Sequence, residues 1–252
     1  MLLDEQIKRL KKLVYATKST VFFGGAGVST ESGIPDFRSP TGLYQAKQVF
    51  NRQPEYLLSH SCFIREPEIF FRYYKENLVA RTAKPNPAHF ALAKLEQQGY
   101  LSAIVTQNVD GLHQMAGSKT VYELHGTNWH QFCMQCGEQY SLDYILEQEG
   151  VPKCKKCGGI VRPQVVLYEE SLPFCAWDGA VQAIESADLL IVGGTSLAVY
   201  PAAALLEHFN GSNLVLINKS ETPADNRAQL VIRDAIGKVL SAAVENGHIL
   251  KC

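Results

Sequence analysis

The sequence lacks a strong excess of charge of one sign and lacks a long apolar run, and its cysteines are odd in number, so they cannot form a fully paired set of disulfides. Its 24 Lys and Arg residues nearly balance 25 Asp and Glu residues, so a broad electrostatic attraction to nucleic acid or anionic lipid is not expected. No apolar run approaches the length of a membrane-spanning helix. Asp4, Glu5 and Lys8 interrupt the amino-terminal residues, where a secretory signal would be apolar. We therefore expect a cytoplasmic protein without membrane contact, whose partners are recognised locally.

The seven cysteines are odd in number, and four of them form two Cys-x-x-Cys pairs, Cys133 with Cys136 and Cys154 with Cys157. In a reducing compartment this arrangement favours a metal site over disulfides. Four thiolates complete a tetrahedral zinc sphere and leave no position for water, so the pairs predict one structural zinc ion. A redox Cys-x-x-Cys pair is the alternative. The other cysteines are expected to be ordinary thiols: Cys62, Cys175 and Cys252.

Short apolar runs alternate with stretches of helical character. Apolar residues recur at helical spacing from Leu3 to Val14, and Asn86-Pro87 is typical of a helix start. Strands are predicted over 21–23, 103–105, 189–192 and 214–217, and further helices over 177–184 and 202–209. Such alternation implies crossover connections and a parallel sheet with helices on both faces. The expected fold class is α/β, a doubly wound, Rossmann-like parallel sheet.

Two stretches interrupt this alternation. Residues 125–170 carry the cysteine pairs and few long apolar runs, which indicates a small inserted zinc-ribbon module. Residues 37–85 are rich in aromatic side chains, contain breaks at Pro54 and Pro67, and are expected to form a loop leading into a helical cap. The nucleotide-binding domain would then comprise the remaining segments: 1–36, 86–124 and 171–252.

The first predicted strand ends at the glycine turn Gly24-Gly25-Ala26-Gly27. Glycines at a strand-to-helix turn allow the backbone to approach a phosphate closely. The fingerprint of hydride-transferring dehydrogenases requires a further glycine where Thr30 stands, so that class is not favoured. From this segment alone, a purely structural tight turn remains open.

Three longer strings carry a family resemblance. GGAGVSTESGIPDFRSPTGLY (24–44), TQNVDGLH (106–113) and ELHG (123–126) resemble motifs of the sirtuin (Sir2-like) family, bacterial type. The resemblance extends over nearly the whole chain from about residue 13. It implies NAD as the cofactor and NAD-dependent removal of acyl groups from lysine side chains, with release of nicotinamide and O-acyl-ADP-ribose.

The resemblance also assigns residues to roles. His125 would be the catalytic base, which suits a side chain whose unperturbed pKa is about 6.5, and Asn108 would lie at the reaction centre. His113 is the second choice as base and is expected to be buried and hydrogen-bonded. A polar loop capping a helix is the structural alternative for residues 106–113. The predicted cofactor contacts are Gly25, Ala26, Gly27, Phe37, Arg38, Gln107, Asn108, Asp110, Gly194, Thr195, Ser196 and Asn218.

Residues 161–170 resemble the sirtuin segment that pairs with an extended substrate peptide. Main-chain pairing of this kind tolerates many substrate sequences, so acylated-lysine proteins or peptides are the expected partners. Glu169 stands where the family has a glycine, and if that position needs a positive φ the strand must bend differently here. Glu169 and Glu170 are expected to be a solvated acidic pair, with a preference for basic flanking residues as the alternative. The predicted substrate contacts are Val166, Leu167, Tyr168 and Glu169.

The sequence also bears on the acyl group and on rival functions. Sirtuins that prefer negatively charged acyl groups carry a Tyr-x-x-Arg pair, whereas here Tyr74 is followed by Asn77. Acetyl and other uncharged groups are therefore expected, with Arg72 as the alternative cation. One rival function is protein ADP-ribosyl transfer from the same NAD pocket. The other is a non-catalytic, nucleic-acid-binding zinc ribbon, which would use Lys153, Lys155 and Lys156.

Overall fold

The computed structural model describes residues 2–35 and 47–245. Its strands are β1 Thr20–Gly24, β2 Ala103–Thr106, β3 Val121–Glu123, β4 Gly126–Cys133, β5 Gln139–Ser141, β6 Val161–Val165, β7 Leu189–Gly193, β8 Asn213–Ile217 and β9 Leu230–Ile232. Its helices include α1 Leu3–Ala16, α2 Pro54–Leu57, α3 His60–Arg65, α4 Pro67–Asn77, α5 Pro87–Gln97, α6 Leu112–Met115, α7 Leu142–Glu147, α8 Phe174–Glu185 and α9 Ile236–Glu245.

The main sheet has six strands in the order β3-β2-β1-β7-β8-β9, and every neighbouring pair is parallel. Alternate residues of β1 face opposite sides of the sheet. Phe22 packs in a core with Leu10 of α1, Leu92 of α5 and Val239 of α9. Val21 and Phe23 point to the other side and pack in a second core with α8 and the 3-10 helix Ala202–His208. Helices cover both faces, which confirms the doubly wound fold.

Local signals define several of the helix ends. The Asn86 side chain accepts a hydrogen bond from Ala88 N at 2.9 Å, and His89 Nδ1 accepts one from Asn86 N at 3.2 Å. This reciprocal cap, followed by Pro87, begins α5 where the sequence predicts. The stretch predicted as a helix over 202–209 is instead a 3-10 helix. The bond from Ala204 N to Pro201 O spans three residues, as in a 3-10 helix.

A third core lies outside the main sheet. The helices α2 to α4 pack there against the antiparallel sheet β5-β4-β6 and against α7. Its members include the fully or nearly fully buried side chains of Phe63, Phe70, Phe71, Tyr74, Ile145 and Val161. Residues from both stretches that interrupt the strand–helix alternation therefore share one core. None of the helices formed by the described residues has the length and apolar composition needed to cross a bilayer.

The strand order determines where a ligand can bind. The chain runs outward from β1 through β2 to β3, and then returns to the other side of β1 to form β7, β8 and β9. In open parallel sheets the crevice at such a reversal, beyond the carboxyl ends of the strands, is the usual ligand site. Here the crevice lies between the ends of β1 and β7, at Gly25 and Gly194.

Candidate active site

Two glycine turns form the floor of this crevice and contact each other directly. Gly27 N donates a hydrogen bond to Gly194 O at 2.8 Å. A Cβ atom on Gly27 would lie 2.7 Å from Gly194 Cα, and one on Gly194, whose φ is +60°, would lie 2.5 Å from Val28 N. Both positions therefore require glycine for packing between the turns. The same packing brings the backbone of both turns to the cleft.

A deep cleft extends from these turns toward the third core, and most of the predicted site residues line it. They are Gly25, Ala26, Gln107, Asn108, Asp110, His125, Val166, Leu167, Tyr168, Glu169, Gly194, Thr195 and Ser196. A second cleft adjoins the first through Gly194, Thr195 and Ser196 and is lined by Gly27 and Asn218 as well. The two clefts are therefore contiguous at the Gly194 turn. Phe37 and Arg38 lie outside the described residues.

Ser29 links the polar side chains of the first cleft. Its hydroxyl donates to Asp110 Oδ2 at 2.6 Å and accepts from Asn108 Nδ2 at 3.0 Å. Gln107 Nε2 donates to Thr195 Oγ1 across the cleft at 3.0 Å. Burial raises the pKa of Asp110, although the hydrogen bonds from Ser29 and Leu112 N oppose that shift. Ser29 was not predicted as a site residue, although it lies inside the glycine-turn motif.

His125 has a defined orientation. Its Nδ1 is 2.9 Å from the backbone oxygen of Gln107. Because a carbonyl can only accept a hydrogen bond, the proton of the neutral ring lies on Nδ1 and the basic lone pair on Nε2. The ring lines the same cleft as Asn108 and Asp110. This arrangement suits a proton acceptor.

His113, the second choice as base, has a different environment. It is 1% exposed and packs against His89, with ring centroids 4.7 Å apart. The expected burial is found, but the expected hydrogen bond is wrong, since neither ring nitrogen has a partner among the described residues. Desolvation, with a smaller effect of His89, lowers the pKa of His113 to about 3. A ring buried away from the cleft is unsuited to catalysis.

The two cysteine pairs converge on one point at the end of β4. The four Sγ atoms lie within 4.8 Å of one another, with Cys133–Cys157 at 3.4 Å and Cys136–Cys154 at 3.6 Å. A tetrahedral zinc ion with bonds of about 2.3 Å requires similar sulfur–sulfur distances. All six cysteines of the described residues are free of disulfides. The four thiols therefore fit a zinc ion, and none of them lines either cleft, as expected for a structural site.

The predicted substrate strand continues from β6 along the rim of the cleft. Val166 N donates to His125 O at 2.8 Å, and Tyr168 N donates to Leu58 O at 3.0 Å. Glu169 itself adopts the left-handed conformation, with φ +77°. The expectation that the strand would bend differently without a glycine is therefore wrong. Glu169 Oε2 accepts a hydrogen bond from Ser61 N at 2.9 Å, which helps to hold the strained backbone.

Glu170 is not a solvated partner of Glu169, contrary to expectation. It forms a bidentate ion pair with Arg162, at 2.7 and 3.0 Å, and also accepts from Leu167 N at 2.9 Å. Burial opposes its ionisation, but the hydrogen bonds from Arg162, Leu167 N and His60 lower the pKa of Glu170 to about 2. The pair fixes the strand that carries the predicted substrate contacts.

Glu170→Gln is expected to lower the free energy of unfolding by about 3–5 kcal/mol, because it leaves the buried Arg162 charge without its partner. The folded pKa of Glu170, about 2, lies below its ordinary value of 4.5. The ion pair's contribution is therefore complete above about pH 4.5 and is lost as the pH falls toward 2. Urea unfolding at pH 7 and pH 3 measures both effects.

The matched control is Glu207→Gln, which breaks an exposed pair with Arg227 and should cost less than about 1 kcal/mol. Equal losses in the two variants would contradict a structural role for the Arg162–Glu170 pair.

Selection between neutral and charged acyl groups depends on the charged side chains that line the first cleft. Asn77 lines the cleft, whereas Tyr74 is fully buried and donates to Asn128 Oδ1 at 3.0 Å. Arg72, the alternative cation, is exposed and paired with Glu76 at 3.0 Å. No Lys or Arg occurs among the residues that line the first cleft within 2–35 and 47–245.

Comparison with known proteins identifies the family. The Sir2 family model matches residues 25–201. The chain belongs to the Sir2 family. This confirms the sirtuin resemblance seen in the three motifs. A Sir2-family relative from Clostridium acetobutylicum, named NAD-dependent protein deacetylase, is 58% identical over 97% of this chain and 100% of its own length.

Solved Sir2 structures resemble this Sir2-family chain along almost its full length. A Sir2 variant with deacetylated p53 peptide and 3'-O-acetyl ADP ribose gives a TM-score of 0.88 at 39% identity, covering 96% of this chain and 98% of the other. A Sir2 complex with p53 peptide and NAD+ gives 0.85 at 39% identity, with the same coverage. The family and the fold therefore agree.

Proposed function

We propose that this Sir2-family protein is an NAD-dependent protein-lysine deacetylase. The observation that carries the proposal is that one cleft is lined by the glycine turns, by Gln107, Asn108 and Asp110, by the oriented imidazole of His125 and by the strand 166–169. The relatives' names and the peptide and NAD bound in the Sir2 structures support the same activity. A dinucleotide, a modified lysine and a base can thus meet in one place.

In this proposal the chain's own residues bind, orient and accept protons. Asp110, held by Ser29, would bond the nicotinamide amide, and Gln107 and Asn108 would bond ribose hydroxyls. Gly194 to Ser196 and Asn218 would hold the adenosine half across both clefts. When bound, NAD supplies the labile bond to nicotinamide and the acceptor for the acyl group. His125 would take a proton from a ligand hydroxyl at Nε2.

Acylated proteins or peptides are the proposed partners, and the residues 166–169 would pair with their main chain. The four zinc-binding thiols must remain reduced, which supports a cytoplasmic location. Nothing in the charge of the chain favours nucleic acid as a partner.

The deciding experiment is an assay of nicotinamide release with an acetyl-lysine peptide. Release that needs both NAD and the peptide, with O-acetyl-ADP-ribose as product, is expected. If the NAD is labelled in its ADP-ribose part, appearance of the label on protein would instead indicate ADP-ribosyl transfer. If no nicotinamide is released from NAD, either with or without the acetyl-lysine peptide, the result would favour a binding module without catalysis.

The acetyl form of a peptide is expected to have a kcat/KM at least about tenfold above that of its succinyl form, because the described lining of the first cleft offers the added carboxylate no Lys or Arg, while the carboxylates of Asp110 and Glu169 would repel it. Asn77→Arg should reduce this ratio by placing a guanidinium on the cleft wall. Asn77→Gln is the matched neutral control and should keep the ratio. A wild-type preference for succinyl, or the same ratio in both variants, would contradict this prediction.

A further inference from the structure

A bulge in β4 lies between the zinc site and the cleft. The antiparallel register with β6 is regular at Gly126 and Thr127 and again from Gln131 to Cys133, but it shifts between Thr127 and Gln131. Asn128 and Trp129 leave the ladders of the sheet, whereas His130 still pairs with Ser141 of β5. Bulges redirect side chains and are common beside active sites. The segment that leaves the ladder is therefore available for contacts outside its own sheet.

Two donors of this bulge bind the backbone of the loop that carries Asp110. Asn128 N donates to Val109 O at 2.9 Å, and Trp129 Nε1 donates to Asp110 O at 2.8 Å. The indole also packs on Gly111, where a Cβ atom would lie 2.4 Å from Nε1. Gly111 has φ +71°. A larger residue is therefore disfavoured here, both by the backbone conformation and by the close approach of the Trp129 indole.

The bulge itself is held on several sides. Asn128 is 4% exposed; its Oδ1 accepts from Tyr74 OH at 3.0 Å, and its Nδ2 donates to Leu78 O at 2.8 Å. Gln131 Nε2 donates to Asn128 O at 2.6 Å. The strand then ends at Cys133, one of the four clustered thiols. A rigid, multiply bonded element therefore connects the zinc module and the helical cap to the loop.

We propose that Trp129 is a positioning residue for Asp110, and that the bulge fixes the NAD-binding loop through it. The inference rests on the proposed function, since it concerns the carboxylate assigned to the nicotinamide amide. The indole N–H restrains the backbone of Asp110, while Ser29 and Leu112 N restrain its carboxylate. If the indole bond is removed, Ser29 and Leu112 N still hold the Asp110 carboxylate, so NAD binding should weaken but should not be abolished.

The test compares Trp129→Phe with Trp177→Phe, which alters the other tryptophan, on α8. Loss of one hydrogen bond should weaken NAD binding, measured by calorimetry, about 3- to 10-fold in Trp129→Phe. The KM for NAD should rise by the same factor, while the KM for the acetyl-lysine peptide stays unchanged. The Trp177→Phe protein should bind NAD like the wild type.

A second measurement leaves the indole bond intact. In the Trp177→Phe protein Trp129 is the only tryptophan, and its fluorescence, excited selectively over tyrosine, should change when NAD or nicotinamide is added. In the Trp129→Phe protein the remaining emission should not respond. Unchanged NAD affinity in Trp129→Phe, equal weakening in both variants, or a silent Trp129 would overturn the proposal. Failure of the proposed function would appear differently, as wild-type protein that binds NAD without releasing nicotinamide.

Discussion

His125→Ala is expected to lower kcat for acetyl-lysine peptides by about 10²- to 10⁴-fold, the range that a positioned general base contributes. The reason is geometric: Gln107 O fixes the proton on Nδ1, so Nε2 is the nitrogen able to accept one. NAD affinity should fall much less than kcat, because the imidazole bonds the main-chain oxygen of Gln107, whereas the Gln107 side chain that is predicted to contact NAD is held by Thr195. Steady-state kinetics with NAD and peptide varied separately measure both quantities.

His208→Ala is the matched control, since His208 is partly exposed, pairs with Glu185 and lines neither cleft. It should retain wild-type turnover. Thermal melting and zinc content of both variants test whether the fold is intact. If His125→Ala keeps its turnover with an unchanged melting temperature, the base must be another group.

The central part of the fold was predictable because its signals are local. The four predicted strands are wholly apolar runs that end at polar or glycine residues, and Asn86-Pro87 begins α5 by contacts within one turn. Strands β3 and β9 were not predicted, because each has three residues and lies at a sheet edge. Such short runs carry no periodicity.

Helix α9 was missed for a different reason. Its first turn contains Gly237, which weakens a helical pattern. The N–H of Gly237 donates to Glu31 Oε1 at 2.9 Å, and a Cβ atom there would lie 2.5 Å from Glu31 Oε2. The partner that supports this helix end is therefore distant in sequence, beside the glycine turn. No local rule reveals it.

In the candidate site, too, some residues were indicated by local sequence motifs, whereas others depend on contacts between distant parts of the chain. The strings containing Gly25, Asn108 and His125 indicated a site from the sequence, and the structure places them around one cleft; their individual roles stay predictions. Trp129 carried no such signal, and the resemblance of residues 161–170 did not reveal that Arg162 pairs with Glu170. Their importance arises from contacts across the fold, to Asp110 O and to the substrate strand. Sequence motifs indicated the residues that line the cleft better than the residues that hold this lining in place.

Cys154→Ala is expected to reduce bound zinc from one ion per chain to none and to unfold the zinc module. A structural zinc contributes roughly 10–16 kcal/mol in small zinc-binding peptides, which equals or exceeds the stability of a typical domain, about 5–15 kcal/mol. The third core, which includes Cys133, Ile145 and Leu167, would lose its support. Metal analysis and far-UV circular dichroism measure the two changes.

Cys175→Ala is the control, because Cys175 is exposed and outside the thiol cluster; it should keep its zinc. Wild-type protein without zinc, or Cys154→Ala protein with a full ion, would contradict the metal site. NAD affinity adds a finer distinction. If the β4 bulge orders the loop at Asp110, loss of zinc should weaken NAD binding at least as much as loss of the Trp129 indole does, since the strand that carries the bulge ends at Cys133. Undiminished NAD affinity in the zinc-free variant would show instead that the main sheet and Ser29 order that loop without help from the zinc module.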